Sequence, residues 1–169
     1  PALVPLKVGT EWAAALRGIS LQDVSVSVHD GGGRKLLERR EAILFTHAGL
    51  SGPAIMDVSR EAAADEGDRR ELRIDFLPDV SREQVDGRLQ AGARRGKAAV
   101  ASILSADLPH RLAECILDDC GVPRSRTGPD LTRDERLRLA SALKGLAMPI
   151  VGTLGFEKAE VTAGGVELS

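Results

Sequence analysis

The stretch Ile43-Leu44-Phe45-Thr46-His47-Ala48-Gly49-Leu50-Ser51-Gly52-Pro53-Ala54-Ile55-Met56 decides how the rest of the chain is read. It opens apolar and β-favouring, breaks at two glycines and a proline, then resumes with helix-favouring residues through Glu61-Ala62-Ala63-Ala64. That order predicts strand, tight turn, helix. Pro53 suits the first helical position, where its missing N–H costs nothing and its φ is already helical. Ser51 or Gly52 is then the cap, and Ser51 can accept from a free amide of the first turn. A helix starting this way aims unpaired N–H groups and partial positive charge at whatever sits above the turn. Gly49 and Gly52 carry no Cβ, so the backbone is expected to approach that object closely. A phosphate, a carboxylate or a polar ring edge would fit.

From the residues alone, a capped corner without a ligand stands beside a chemical reading. Gly49-Leu50-Ser51-Gly52-Pro53 nearly matches the G-x-S-x-G nucleophile elbow of serine hydrolases. Pro53 replaces the last glycine, however, and the only histidine downstream is His110.

The run Leu44-Phe45-Thr46-His47-Ala48-Gly49-Leu50-Ser51-Gly52-Pro53 closely resembles the L-F-T-H-x-G-x-S-G-P signature of the YhiN/BaiN-type, aminoacetone-oxidase-like FAD-dependent oxidoreductases. Ala159-Glu160-Val161-Thr162-Ala163-Gly164-Gly165-Val166 is similar to that family's A-x-V-T-x-G-G-V. A weaker match is the opening Pro1-Ala2-Leu3-Val4-Pro5-Leu6, followed by Leu16-Arg17-Gly18-Ile19-Ser20. The matches fall in family order and span almost the whole chain. Family members also carry a nucleotide-binding βαβ unit with G-x-G-x-x-G, which is absent here. Gly31-Gly32-Gly33 has the wrong spacing and context for it. The resemblance therefore implies the family's insert domain, a small β-barrel with a helical subdomain, cut from a larger flavoprotein.

It further implies that FAD lies mainly on the missing FAD-binding domain of the same chain, and that this segment covers the substrate side. Thr46, His47, Gly49, Ser51 and Gly52, with Thr162, Gly164, Gly165 and Val166, would face the cofactor. His47 is either a proton donor beside the ring or a hydrogen-bonded structural histidine. Thr162 and Ser51 either orient a substrate or cap a turn. The expected partners are the FAD-binding domain and a small-molecule substrate, with NAD(P)H as one possible electron source. The segment alone is expected to be catalytically silent. Two other classes stay open, a serine hydrolase using Ser51 and a non-catalytic interaction domain.

Composition narrows the field. One Trp, three Phe and no Tyr leave few stacking platforms, and the net charge of −2 mixes both signs. Neither suits a nucleic-acid binder. No apolar run approaches membrane-spanning length, so no membrane is expected. Cys115 and Cys120 have no zinc spacing, and His29, His47 and His110 are scattered, so no metal is expected. Two free thiols indicate a reducing, cytoplasmic setting.

Taken in order, Ala2 to Val8 reads as a strand limited by Pro5, and Thr10 as the cap of a brief turn carrying Trp12. Val24, Val26 and Val28 alternate with polar residues and return through Asp30-Gly31-Gly32-Gly33 as a hairpin to Lys35–Phe45. Helix follows from Pro53 to about Ala64, then strand from Leu72 to Leu77. From Ser81 to Gly145 the pattern is helical, about four helices. Ser81 and Thr132 open capping boxes, Lys97 to Ala106 forms a helix, and Pro109 starts another. This block holds twelve Lys and Arg against nine acids, densest at Arg94-Arg95-Gly96-Lys97. Strand character resumes over Met148–Gly152 and Lys158–Leu168. Strands, then helices, then strands predict an α+β fold, with a helical subdomain (81–146) inserted between the first part (1–80) and the returning strands (147–169) of one sheet unit.

Overall fold

The computed structural model describes residues 1–63, 69–162 and 164. Its strands close into a six-stranded barrel of order β1-β4-β3-β2-β5-β6, accompanied by five α-helices, so the fold is α+β. The strands are β1 (Leu6–Val8), β2 (Ser20–Asp30), β3 (Lys35–Thr46), β4 (Gly49–Ser51), β5 (Arg70–Asp75) and β6 (Leu146–Thr153). The helices are α1 (Pro53–Ala62), α2 (Arg82–Arg94), α3 (Val100–Leu104), α4 (His110–Asp119) and α5 (Arg133–Leu143). Two compact units emerge, one of residues 1–73 and 147–169, the other of residues 74–146.

In the barrel unit, the valine alternation produces the expected hairpin. Val24, Val26 and Val28 are buried. At the turn Asp30 Oδ1 accepts from the amides of Gly32 at 3.0 Å and Arg34 at 2.9 Å. The seam that closes the barrel is β1, only three residues long. Leu6 is the register partner of Leu50 on one side and of Thr153 on the other. Leu6, Ile43, Phe45 and Leu50 are fully buried. Trp12 tilts against Phe45 with centroids 6.5 Å apart, so it is a packing residue. The predicted strand from Ala2 is shorter than expected. Leu3 sits at φ 49, and Pro5 has no N–H to give the ladder. Thr10 makes no side-chain cap. The described part of the predicted Lys158–Leu168 strand, residues 158–162 and 164, likewise forms no strand. Phe156–Lys158 is a 3₁₀ turn entered through Gly155 at φ 76, and beyond it Val161 bridges Ala2. Residues 163 and 165–169 lie outside the described residues.

In the helical unit both capping boxes form. Ser81 Oγ accepts from Gln84 N at 3.2 Å while Gln84 Oε1 accepts from Ser81 N at 2.9 Å, and Thr132 and Glu135 repeat the arrangement on α5. Ser81→Ala is expected to cost about 1 kcal/mol, read as a lower melting temperature of the chain. α3 departs from expectation, spanning Val100–Leu104 rather than Lys97–Ala106. The backbone ahead of it is engaged elsewhere. Gly128 N donates to Ala98 O, Val100 N donates to Arg126 O, and Ala99 bridges Thr127. Gly128 is needed for this approach, since a Cβ there would come 2.7 Å from Ala93 Cα. On α5, Leu139, Ala140 and Leu143 are buried, Leu137 is half-buried, and Glu135 is buried as well.

Candidate functional site

The central motif does not fold as strand, tight turn and helix. β3 ends at Thr46, His47-Ala48 form a two-residue turn, and Gly49-Leu50-Ser51 is a further barrel strand, with Thr46 opposite Gly49 and Leu44 opposite Ser51. Only then does α1 begin, with Gly52 as its cap at φ 96 and Pro53 at the first position as expected. Ser51 is therefore not the cap, because β4 extends one residue further than a tight turn would allow.

The two glycines serve the packing of the barrel. At Gly49, φ is 138 and a Cβ would collide with the carbonyl oxygen of Leu6 on β1. At Gly52 a Cβ would lie 2.9 Å from Ala42 O and 3.0 Å from Ile43 Cα on β3. The close approach inferred from sequence is real, but its object is the protein's own backbone.

Thr46 fixes the turn: its Oγ1 donates to Gly49 O at 3.1 Å and accepts from Ala48 N at 3.3 Å. His47 is exposed at the tip, with no hydrogen-bond partner among the described residues. Ser51 Oγ is half-buried and meets Met56 Sδ at 4.0 Å. A thioether cannot act as a general base. His110 is engaged by Ser105 Oγ at 2.9 Å and by Glu114 at 3.7 Å. Fluorophosphonate is accordingly expected to leave the chain unlabelled, and Ser51→Ala to change nothing in that assay, as intact-mass spectrometry would register.

The second motif flanks the same N-terminal segment as the first. Ala2 pairs with Val161 through bonds of 2.9 and 3.3 Å, and Glu160 N donates to Leu3 O at 3.0 Å. Four residues further along, Leu6 meets Leu50 of the first motif. Even fully extended chain of that length covers only roughly 13 Å, and Leu3 at φ 49 bends it, so Val161 and Leu50 border one short stretch. Thr162 and Gly164 are exposed. Gly164 has φ 111 and, among the described residues, nothing within 4 Å of where a Cβ would stand, unlike Gly49 and Gly52. Gly165 and Val166 lie outside the described residues.

Other chemistry is sparse. Burial pushes the Cys120 thiol up to about 11 and raises that of Cys115, so neither is a ready nucleophile. Among the described residues no group of three or more His, Cys, Asp or Glu is placed to hold a metal, and no helix is long and apolar enough to cross a membrane. Sequence reasoning missed a cleft of about 530 Å³ beside the β2–β3 turn, lined by Arg69, Arg70, Arg73, Asp30 and Glu71. The signal was the Arg69-Arg70-Glu71-Leu72-Arg73 run, whose Arg73 is paired with Glu71 at 2.7 Å.

Comparison with known proteins agrees with this architecture. The family described as "HI0933-like protein barrel and H2TH domain" matches residues 1–161. The chain is 34% identical over 128 residues to the ribosomal RNA dihydrouridine synthase of Escherichia coli K12, covering 76% of this chain and 30% of that protein. It is 29% identical over 169 residues to the 3-dehydro-bile acid delta(4,6)-reductase of Clostridium scindens, covering 98% and 41%. The ribosomal RNA dihydrouridine synthase of Haemophilus influenzae is 29% identical over 157 residues, covering 93% and 36%. The chain thus spans between 30% and 41% of the length of these curated relatives.

Proposed function

The chain belongs to the HI0933-like barrel and H2TH domain family of FAD-dependent oxidoreductases, and from that premise we propose that it is the substrate-side domain of a flavoprotein that reduces a carbon–carbon double bond conjugated to a carbonyl. The observation that carries this is the shared chemistry in the relatives' names. A dihydrouridine synthase and a delta(4,6)-reductase both saturate such a bond, one in a pyrimidine ring and one beside a 3-oxo group.

When bound, FAD would supply the hydride, with NAD(P)H as the electron source. The residues of this chain then have to position the acceptor and manage the proton. His47, exposed at the tip of a turn held by Thr46, is proposed to face the reacting alkene and hold that proton. Thr162 and Gly164 are proposed to admit the ring edge, the hydroxyl as a hydrogen-bonding group and the glycine by its open side. Gly49, Ser51 and Gly52 keep a supporting part through the hairpin and the start of α1. Val161, 48% exposed and next to Thr162, with Val151 at 64% and Phe156 at 66% elsewhere in the same unit, offers apolar surface against which a cofactor domain would pack.

A second reading of the substrate, a uridine within ribosomal RNA, is favoured by the names of the two dihydrouridine synthases. The mixed surface charge and the four aromatic residues favour a small free molecule.

The test is expression of the complete open reading frame that encodes this chain. It is expected to yield a protein carrying FAD at one per chain, bleached anaerobically by NAD(P)H and reoxidised by a conjugated enone, while residues 1–169 alone retain no flavin. Reoxidation by unmodified ribosomal RNA and not by enones would select the second reading. A full-length protein without flavin would overturn both.

A further inference from the structure

The helical unit contains a groove of about 440 Å³ that lies entirely within residues 74–146 and has no part in the site above. Its volume falls in the range of roughly 300–1,000 Å³ typical of small-molecule pockets. The floor is aliphatic: Leu89, Leu104, Leu108 and Leu143 are buried there, and Ile103 is left half-open. Close packing of α2 on α3 shapes one wall. Gly92 allows it, because a Cβ at that position would come 2.5 Å from Ile103 Cγ2.

The rim is asymmetric in charge. Arg88 and Asp107 satisfy each other at 3.3 Å, so the rim's carboxylate is already neutralised. Arg95 lines the same rim, is exposed, and has no acid partner among the described residues. Arg94 and Lys97, its sequence neighbours, are exposed and likewise unpaired among the described residues. An apolar trough ending at an uncompensated guanidinium is complementary to one kind of molecule, because the tail gains by leaving water while the head replaces a missing carboxylate.

We propose that the α2–α3 groove binds an amphipathic organic anion, an aliphatic carboxylate whose tail lies on Leu89, Leu104 and Leu108 and whose acid pairs with Arg95. The arrangement has the elements of a selective site. The tail contact sets affinity, and the charge sets polarity of entry. A cationic amphiphile of the same length meets Arg95 as a like charge and is rejected.

Isothermal titration with dodecanoate below its micellar concentration tests this, on both the 169-residue chain and the product of the complete open reading frame. One saturable site is expected on each, with Kd on the order of 10 µM. Dodecyltrimethylammonium and inorganic phosphate should give no saturable heat. Arg95→Gln should weaken dodecanoate about five- to tenfold, as expected for a partly exposed charged hydrogen bond. Ser102→Trp fills the groove from the exposed face of α3 and should abolish binding while leaving the circular dichroism spectrum unchanged. Absence of saturable binding overturns the proposal. So does binding indifferent to Ser102→Trp, or equal affinity for the cationic amphiphile. Binding to the 169-residue chain but not to the full product overturns it too, since another segment then covers the groove.

Discussion

Gly49→Ala is expected to destabilise the barrel by about 3 kcal/mol, enough to leave a large fraction of the chain unfolded or insoluble. Two costs add at this position. Alanine is strained at φ 138 by roughly 1–2 kcal/mol. Its methyl group must also push β1 away from β4, because it would occupy the space of Leu6 O, and overpacking of that kind costs about 1–3 kcal/mol. β1 has only three residues and closes the ring between β4 and β6, so little pairing is left to absorb the displacement. Gly164→Ala is the internal control. Its φ of 111 is also unfavourable, but among the described residues nothing lies within 4 Å of the new methyl, so about 1 kcal/mol is expected. Urea unfolding of the two variants beside the wild type separates them. Equal, small effects would mean that the Leu6–Gly49 approach does not hold the barrel.

Glu135→Ala is expected to cost about 2–4 kcal/mol in the helical unit. Its carboxylate is only 8% exposed and has two tasks. Oε2 accepts from Thr132 N at 2.9 Å, completing the α5 capping box, and Oε1 accepts from Arg126 at 2.7 Å. Arg126 Nε is buried with no acceptor among the described residues, so removing Glu135 strands a largely desolvated cation. The loss exceeds that of an ordinary cap for this reason. It also sets a pH dependence. Burial raises the Glu135 pKa, but the Thr132 amide and hydroxyl and the Arg126 guanidinium outweigh it, so the folded value lies below the ordinary one. A depressed folded pKa stabilises the native state above the unfolded value, near 4.3, and that contribution disappears as pH falls through the folded value. The difference in stability between wild type and Glu135→Gln should therefore be constant from about pH 6 upward and shrink below about pH 4. A difference unchanged at pH 3 would contradict the pairing.

What could be read from sequence was what is decided locally. Ser81 and Gln84, or Thr132 and Glu135, sit three residues apart and form the same reciprocal bonds in any helix start, so α2 and α5 were predictable at their first turns. Val24, Val26 and Val28 reveal a half-buried strand by period alone. Elements held by distant partners were not legible in the same way. β4 is three residues long and exists because Leu50 meets Leu6 and Ser51 meets Leu44. α3 starts late because Arg126 and Gly128 claim the backbone before it. Nothing nearby in sequence tied Arg126 to Glu135.

At the candidate site the order of the motifs identified the family, while the physical reading of their glycines went astray. A glycine signals that something approaches closely, not what approaches. At Gly49 and Gly52 it is the barrel's own backbone, and at Gly164 no described residue comes near. Of the candidate site residues described, His47, Thr162 and Gly164 are thus the exposed ones, on segments that pair with the Ala2–Leu6 stretch at Leu6 and at Ala2.

The central proposal, that these two flanks face the flavin, is tested most directly by hydrogen–deuterium exchange on the complete flavoprotein with and without FAD. Protection on FAD binding is predicted for amides of residues 46–51 and 160–164, with the helical unit from 81 to 145 unchanged. If FAD protects the nucleotide-binding portion alone, or acts on the helical unit while both motifs exchange as before, this chain does not form the substrate side of the cofactor.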